Sequence, residues 1–291
     1  MLDFRCIADL RADLLESPVW DERRGILFVC DIPGGEIIEV DLVEGPRRRW
    51  SFEQEVTALG LGESGALVVA LARKVIVFDP ESGGQSDLWT GYDEPPTSRL
   101  NDGKVGPDGA FFVGSMDGRA DHEDIGALYR VDAKGNAHVV SEGFAISNGL
   151  AWSPDGRAMY HSDSCGPWVD IYDFDPETGT ASHRRRLVDL DDKTGRPDGG
   201  ACDMAGDYWS AGVSAGTLNR IGSDGTLRES YLLPVPSPTM PCFCGPDLSQ
   251  IAITSHRFGD EAAIAAAPLS GGVFLADAPV RGVPVARMKG I

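Results

Sequence analysis

Hydrophobic and polar positions alternate along most of this 291-residue chain in short runs separated by turn residues. One unit reads Leu150-Ala-Trp-Ser-Pro-Asp-Gly-Arg-Ala-Met-Tyr160, where a Pro-Asp-Gly turn joins two strand-like segments. Alternation bounded by Gly, Pro and Asp is typical of β-strands. Units of this design, each about 40 to 50 residues long, follow one another from end to end. The pattern therefore indicates a repeated β-sheet unit.

Helical periodicity is almost missing. No segment sustains an apolar period of 3.6 residues; Ala262 to Ala267 is the one helix-like patch, and Pro268 ends it. Repeats of this length suit four-stranded sheets stacked around an axis. The sequence thus predicts an all-β fold, a six-bladed β-propeller of four-stranded antiparallel blades, with residues 1–291 as a single domain. We expect Phe4 to Ala8 to complete the last blade, because an unpaired sheet edge promotes aggregation.

Composition narrows the possible partners. The chain has 26 basic and 45 acidic residues, for a net charge of −19, which disfavours binding to nucleic acid or anionic membranes. Its start lacks signal-peptide features, and its apolar runs are far shorter than the roughly 20 residues of a membrane helix. Six scattered cysteines contain no Cys-x-x-Cys pair, which argues against structural zinc. We expect a cytoplasmic protein, a monomer or weak homo-oligomer, that acts on a small molecule.

Two segments match known functional motifs, but their neighbouring segments do not suit those functions. Gly60-Leu-Gly-Glu-Ser-Gly65 matches the dinucleotide-binding fingerprint, but a strand-like segment follows it where that motif requires a helix. Gly212-Val-Ser-Ala-Gly216 matches the nucleophile elbow, but it lies between two strand-like segments. Both are interpreted as turns between strands.

Oxygen-bearing side chains recur at one spacing. Each of three such residues precedes the glycine of an acidic turn by eight positions: Asn101 before Gly109, Asn148 before Gly156, and Asp198 before Gly206. Glu16 likewise precedes the acidic turn of the first blade, although its distance from the turn glycine is about one residue longer. The same spacing gives Thr57 in the second blade, whereas the sixth blade lacks the glycine.

This repetition predicts a shared location. The innermost strands of a propeller run along its axis, so residues at one offset should ring one mouth of the channel. Two carboxylates and two carboxamides supply hard oxygen ligands, which suit Ca²⁺, Mg²⁺ or Mn²⁺ and leave Zn²⁺ or Fe²⁺ open. The alternative is that Asn-Gly and Asp-Gly serve only as turn formers. Recurrence at one offset favours a site.

Several segments also carry a family resemblance that covers nearly the whole chain. They are Leu15-Glu-Ser-Pro-Val-Trp20, Arg99-Leu-Asn-Asp-Gly103, Gly114-Ser-Met-Asp117, Ser147-Asn-Gly-Leu-Ala-Trp-Ser-Pro-Asp-Gly156, Arg196-Pro-Asp-Gly199 and Gly271-Gly-Val-Phe274. With these segments the chain resembles the gluconolactonase, senescence-marker-protein and regucalcin-like family of six-bladed propellers. It departs from the family pattern at Ser17 and Cys244, where glycine is usual, and at Leu100, where proline is usual.

The resemblance implies that Glu16, Asn148 and Asp198 hold one divalent metal ion, and that Arg99 and Asn101 contact substrate. The predicted function is metal-dependent hydrolysis of a sugar lactone, an aldonolactone, to the aldonic acid in carbohydrate metabolism. The metal would polarise the lactone carbonyl, and Asp198 would be the general base. Two alternatives stay open: a non-catalytic, calcium-binding propeller like regucalcin, and an esterase or organophosphatase that uses the same metal site.

Overall fold

The computed structural model describes residues 2–291, and these residues form six sheets around a central channel. The predicted all-β, six-bladed propeller is therefore confirmed. The first blade comprises β2 (Leu15–Asp21), β3 (Ile26–Asp31), β4 (Glu36–Asp41) and β5 (Gly45–Ser51). The second comprises β6 (Val56–Gly62), β7 (Leu67–Leu71), β8 (Lys74–Phe78) and β9 (Gln85–Trp89). The third comprises β10 (Ser98–Val105), β11 (Phe111–Asp117), β12 (Gly126–Val131) and β13 (Ala137–Phe144). Blades four and five comprise β14 (Ser147–Trp152), β15 (Ala158–Asp163), β16 (Trp168–Asp175) and β17 (Thr180–Asp189); and β18 (Pro197–Cys202), β19 (Tyr208–Gly212), β20 (Thr217–Ile221) and β21 (Leu227–Leu232).

The sixth blade joins the two ends of the chain. Its inner three strands are β22 (Pro238–Cys244), β23 (Gln250–Ser255) and β24 (Val273–Asp277), and β1 (Arg5–Ala8) pairs antiparallel with β24 as the outermost strand. The predicted closure by the N-terminal strand is thus confirmed. A short helix, α1 (Glu261–Ala266), lies between β23 and β24, and its first turn is capped by the Asp260 side chain.

The second blade has a fifth strand that the sequence did not predict. β25 (Arg287–Met288) pairs in parallel with β6, the inner strand of that blade. The Arg287 side chain also forms an ion pair of 2.6 Å with the buried Asp21 in the first blade. The C-terminal segment therefore fastens the ring at a second place, away from the junction made by β1.

Apolar contacts between neighbouring blades set the position of each inner strand. The described residues form six core clusters, one at each junction between blades. At the first junction Phe28 packs in the same cluster as Leu59, and between the fifth and sixth blades Trp209 does so with Phe243. Burial of such side chains stabilises the fold by about 1.5–3 kcal/mol each. Inner strands β2, β6, β10, β14, β18 and β22 thereby contact one another around the channel.

The two motifs interpreted as turns are turns. β6 ends at Gly62 and β7 begins at Leu67, so the glycine-rich segment forms a hairpin connection. Ser214 lies between β19 and β20, and its Oγ accepts the Arg196 backbone N–H at 2.9 Å. All six cysteines, which belong to the described part of the chain, are free. None of the helices within residues 2–291 has the length and apolar character needed to span a membrane.

Candidate active site and metal centre

A β-bulge interrupts every inner strand near the same mouth of the channel. In each blade the inner strand has one residue more than its neighbour across the shift. The shifts fall between Glu16 and Val19, Val56 and Ala58, Leu100 and Gly103, Asn148 and Ala151, Pro197 and Gly200, and Pro238 and Pro241. A bulge bends its strand and re-aims the local side chains. The register gives one equivalent residue per blade at the entrance to the bulge, and we call these the ring positions: Glu16, Thr57, Asn101, Asn148, Asp198 and Thr239.

Left-handed backbone follows two of the ring positions. Gly149, after Asn148, has a φ of 70°, and Ser17, after Glu16, has a φ of 50°. A Cβ atom at Gly149 would lie 2.4 Å from the Tyr208 hydroxyl oxygen, so only glycine fits there. Ser17 adopts this conformation with a side chain, and its Oγ accepts the Leu59 backbone N–H at 2.9 Å. That bond to the next blade offsets the strain of a side chain in this left-handed conformation.

All five residues predicted to bind metal or substrate line one small cavity. Its volume is about 190 Å³, and Glu16, Arg99, Asn101, Asn148 and Asp198 contribute to its wall. Its wall also carries apolar side chains: Leu14, Ile32, Met116, Ile146 and Val213. The cavity therefore combines polar and apolar side chains, as ligand pockets commonly do.

A chain of hydrogen bonds connects four of these side chains across three blades. Arg99 Nη1 donates to Asn101 Oδ1, Asn101 Nδ2 donates to Asn148 Oδ1, and Asn148 Nδ2 donates to Asp198 Oδ1, each at 2.8 Å. Asn148 Nδ2 also donates to Ser164 Oγ at 2.8 Å. The four side chains thus hold one another in place, and the chain of donors ends on the Asp198 carboxylate.

The channel carboxylates are short of partners. Glu16 accepts only the backbone N–H of Ser17, at 3.2 Å. Asp102, next to the ring position on β10, accepts the Leu150 N–H at 3.2 Å through Oδ2, while its buried Oδ1 has no hydrogen-bond partner among the described residues. Within residues 2–291, no ion pair involves Glu16, Asp102 or Asp198. Arg99 and Arg196 line the same cavity, but neither forms an ion pair with these three carboxylates among the described residues.

This crowding changes the acidity of the carboxyl groups. Burial raises the pKa of Glu16 well above its ordinary value, and the charges of Asp198 and Asp102 raise it further. Burial, followed by the charge of Asp102, raises the pKa of Asp198 to about 8. Burial also lowers the pKa of the Arg99 guanidinium. A group that titrates near neutrality inside a cleft is suited to proton transfer.

The donor set fits a hard divalent ion. Glu16 and Asp198 offer carboxylate oxygens, and Asn148 offers an amide oxygen that still has a free lone pair beside its bond from Asn101. Among residues 2–291 no group of three or more acidic, thiol or imidazole side chains is arranged to hold a metal. Any ion at this mouth would accordingly need the amide as well as the two carboxylates.

The opposite mouth has a different character. A cavity of about 240 Å³ there is lined mainly by apolar side chains, including Val19, Trp152 and Phe243, together with residues 283–286 of the C-terminal segment. Among the described residues of its wall, Lys104 has the one charged side chain. No ring position lines this larger cavity. The candidate site is therefore the smaller polar cavity, because that is where the unpaired oxygens converge.

Four residues near the site escaped the sequence reasoning. Asp102 and Lys104 follow Asn101 in the segment Asn101-Asp-Gly-Lys104, so their position beside the ring was the available signal. Arg196 lines the polar cavity, and its exposed guanidinium has no carboxylate partner within the described chain. Thr239 is the sixth ring position by register with β23, and its Oγ1 donates to Leu15 O at 2.6 Å.

Fold and site together define a six-bladed β-propeller with an acidic, oxygen-lined pocket at one mouth. The family model described as "SMP-30/Gluconolactonase/LRE-like region" matches residues 14–257. The chain therefore belongs to this family, as its motifs suggested. The predicted family membership is confirmed.

Named relatives cover nearly the full length. The chain is 37% identical over 276 residues to a 6-deoxy-6-sulfogluconolactonase of Pseudomonas putida, with 93% of each chain covered. It is 32% identical to the regucalcin of Xenopus laevis, with 94% of this chain and 93% of the other covered. A crystal structure of a calcium-binding protein, regucalcin, from Agrobacterium tumefaciens superposes with a TM-score of 0.91 at 26% identity and covers 98% of both chains.

Proposed function

We propose that this protein is a metal-dependent lactonase that hydrolyses an aldonolactone to the aldonic acid. The observation that carries the proposal is the convergence of Glu16, Asn148 and Asp198 on a small cavity. Neither carboxylate forms an ion pair with a cation of residues 2–291. The similarity to a relative named as a sugar lactonase supports the same reaction class. The proposed metal ligands are Glu16, Asn148 and Asp198.

The chain's own residues would have separate tasks. A divalent ion bound at the ring would polarise the lactone carbonyl and stabilise the developing negative charge. Asp198 takes a proton from the attacking water and can return it to the ring oxygen as the ester bond breaks. Arg99 and Asn101 orient the sugar, since both line the cavity and are fixed by their mutual bond of 2.8 Å.

A second function is favoured by the regucalcin relatives. The structure with a TM-score of 0.91 is described as a calcium-binding protein, and a propeller that binds calcium without catalysis would use the same oxygens. Arg99 weighs against this alternative. A guanidinium at the wall of a metal site repels the ion, whereas it can bind the carbonyl or hydroxyl groups of a polar substrate.

The test is acid release from a panel of lactones. Protein stripped of metal with a chelator is refilled with Ca²⁺, Mg²⁺, Mn²⁺, Zn²⁺ or Fe²⁺, one ion at a time. Hydrolysis of pentonolactones and hexonolactones, with and without a sulfonate group, is followed with a pH indicator. An aryl ester and a phosphotriester are included, because an esterase or organophosphatase would use the same metal chemistry.

Three results would separate the candidates. Metal-restored turnover of aldonolactones far above the spontaneous rate supports the lactonase. Turnover confined to the aryl ester or the phosphotriester overturns it in favour of the wider esterase class. Tight metal binding without turnover of any compound overturns it in favour of a regucalcin-like binding protein. The exposed, unbonded side chain of Asp192 provides a matched control variant, Asp192→Asn, that should behave as the parent.

A further inference from the structure

The cavity at the opposite mouth is separate from the candidate metal site and mainly apolar. Its wall combines the C-terminal halves of β2, β10, β14, β18 and β22 with residues 283–286, and its volume is about 240 Å³. Five prolines contribute to the wall: Pro18, Pro107, Pro154, Pro241 and Pro284. An apolar cavity of about 150 Å³ suffices to bind benzene. The larger cavity in this protein therefore has room for a small organic molecule.

Lys104 places an ammonium group at the inner end of this cavity. Its Nζ donates to Gly200 O at 2.6 Å, and Gly200 directly precedes the wall residues Ala201 and Cys202 on β18. An ammonium group has three N–H donors. Gly200 O is its one acceptor among residues 2–291, and no ion pair within that range involves Lys104. Two donors of this group therefore remain for a ligand.

A second wall residue, Trp152, also has an unused donor. Its side chain is buried, with 7% of its surface exposed, and Nε1 has no hydrogen-bond acceptor among the described residues. The neighbouring Ser153 is already satisfied, because its Oγ donates to Asp155 Oδ1 at 2.6 Å and accepts the Ala158 N–H at 2.9 Å. The unsatisfied side-chain nitrogens of the described wall are therefore donors, one ammonium and one indole N–H.

These features select the chemistry of a ligand. A carboxylate beside Lys104 would form charge-assisted hydrogen bonds with the free N–H groups, which are about twice as strong as bonds between neutral groups. A neutral apolar molecule would leave those N–H groups desolvated and unpaired, and an amine would be repelled. Burial lowers the pKa of Lys104, as expected for an ammonium group that is short of a counter-ion.

We propose that the cavity at the opposite mouth is a second ligand site, which binds a medium-chain alkanoic acid. The carboxylate contacts the Lys104 ammonium group at the inner end, and the hydrocarbon chain packs among Val19, Trp152 and Phe243. The site lies apart from the ring positions, so this inference does not rest on the proposed lactonase activity.

The experiment compares octanoate, octanamide and octylamine, which share a chain length and differ in the charge of the head group. Calorimetry on the full-length protein gives the affinity for each compound. Crystals soaked with 6-bromohexanoate, a probe of similar length, locate the ligand through the anomalous signal of bromine. The variants are Lys104→Met, which keeps an unbranched side chain without the charge, and Asp198→Asn, which alters the other mouth. Lys193→Met, at an exposed lysine, is the matched control.

We expect the parent to bind octanoate about tenfold or more tightly than octanamide or octylamine. Lys104→Met should lose about tenfold or more in octanoate affinity and change by less than about threefold for octanamide, since only the anion needs the ammonium group. Asp198→Asn and Lys193→Met should bind octanoate as the parent does. The bromine peak should lie in the cavity at the opposite mouth. If Lys104→Met fails to fold, the parent's order of affinities and the bromine position decide the matter.

Other outcomes overturn the proposal. Octanamide or octylamine bound as tightly as octanoate shows that the cavity does not select an acid. Octanoate affinity that is unchanged in folded Lys104→Met but lost in Asp198→Asn, or a bromine peak at the polar mouth, assigns the carboxylate to the candidate metal site instead. Parent protein that binds none of the three compounds leaves the cavity without this ligand. None of these results bears on lactone hydrolysis, which is tested separately.

Discussion

Buried carboxylates occur in two regions of this molecule, and their surroundings differ. Within and between the blades, six of them pair with arginine: Asp21 with Arg24 and Arg287, Glu39 with Arg48, Asp108 with Arg130, Asp117 with Arg119, Asp170 with Arg184 and Arg186, and Asp203 with Arg220. In the channel, Glu16, Asp102 and Asp198 have no such partner among the described residues. Asp102 and Asp198 are buried like these six residues and Glu16 is half-buried, yet the electrostatics of the two regions are opposite.

The difference separates structure from function. A buried carboxylate paired with arginine supports its blade, and loss of either partner is destabilising. A buried carboxylate without a cation needs other partners: Asp163 accepts the backbone N–H groups of Ala145 and Cys165 at 2.8 Å each. The channel carboxylates have few such donors, so their charge weakens the metal-free fold unless a ligand compensates it. The contrast indicates that substitutions in the blades should reduce stability, whereas substitutions in the channel should reduce activity.

The largest expected effect is loss of activity in Asp198→Asn. This variant removes both the proposed base and one charge of the proposed metal site, so turnover of the preferred lactone should fall by about 10³-fold or more. Its metal-free form should unfold at the same or higher denaturant concentration than the parent, because a poorly compensated charge is gone. Steady-state rates and urea unfolding measure the two effects. Retained activity would remove Asp198 from the mechanism.

The matching change in a blade is Asp203→Asn. Asp203 accepts the Trp209 indole N–H at 2.8 Å and pairs with Arg220 at 2.9 Å, while its side chain is fully buried. Disruption of this pair should lower the free energy of unfolding by about 3 kcal/mol. The loss should be no larger, because Arg220 keeps its ion pair with Asp207 at 3.0 Å. The folded fraction should keep its kcat. A tenfold loss of kcat at unchanged stability would contradict the contrast between the two regions.

The pH dependence of stability should have opposite signs in the two regions. The pKa of Asp198 in the metal-free chain is raised by burial from 3.8 to about 8, so its stabilising contribution is complete below the unfolded value and is lost as the pH rises through about 8. Burial alone would raise the pKa of Asp21, but hydrogen bonds from Arg24 and Arg287 outweigh it and lower that pKa. Its contribution is present above 3.8 and is lost on acidification.

Unfolding in a chelator between about pH 5 and 9 measures the channel effect, whose slope reaches about 1.4 kcal/mol per pH unit for one group. Asp198→Asn should flatten the decline in stability between about pH 5 and pH 8. Equal slopes in the parent and the variant would assign the decline to other groups.

The smallest expected effect is at Thr57. This ring position carries a buried hydroxyl that donates to Ala70 O at 3.3 Å and is not part of the cavity wall. Thr57→Val should change kcat/KM by less than about threefold and stability by about 1 kcal/mol or less. Kinetics on the preferred lactone would measure this. A loss comparable to that of Asp198→Asn would mean that the whole ring, and not its oxygen-rich part, is needed.

Local patterns predicted most of the fold because the blades are built from local hairpins. Alternation and turn residues are visible in any short window, so the number of blades and the closing strand at Arg5–Ala8 followed from them. β25 could not be predicted. Its two residues have no alternation, and they are held by long-range contacts such as that of Arg287 with Asp21.

The site could be predicted from the sequence only in blades where a turn glycine marks the register of the inner strand. Asn101, Asn148 and Asp198 were found by their spacing from glycines with positive φ. Thr239 was missed because Leu248, with a φ of 58°, adopts the left-handed position of the sixth turn without glycine. The bond from Lys104 to Gly200 joins residues 96 positions apart, and no local pattern signals such a contact.

The most direct test of the central claim is the location of a bound ion. Crystals grown from metal-free protein are soaked in Mn²⁺, and anomalous diffraction is recorded. We expect a single strong peak at the polar mouth, within about 2.1–2.3 Å of oxygens from Glu16, Asn148 and Asp198. The peak should be lost in Asp198→Asn and kept in Asp203→Asn. A peak at another place in the molecule would contradict the account. So would the absence of any peak in crystals of protein that binds Mn²⁺ in solution.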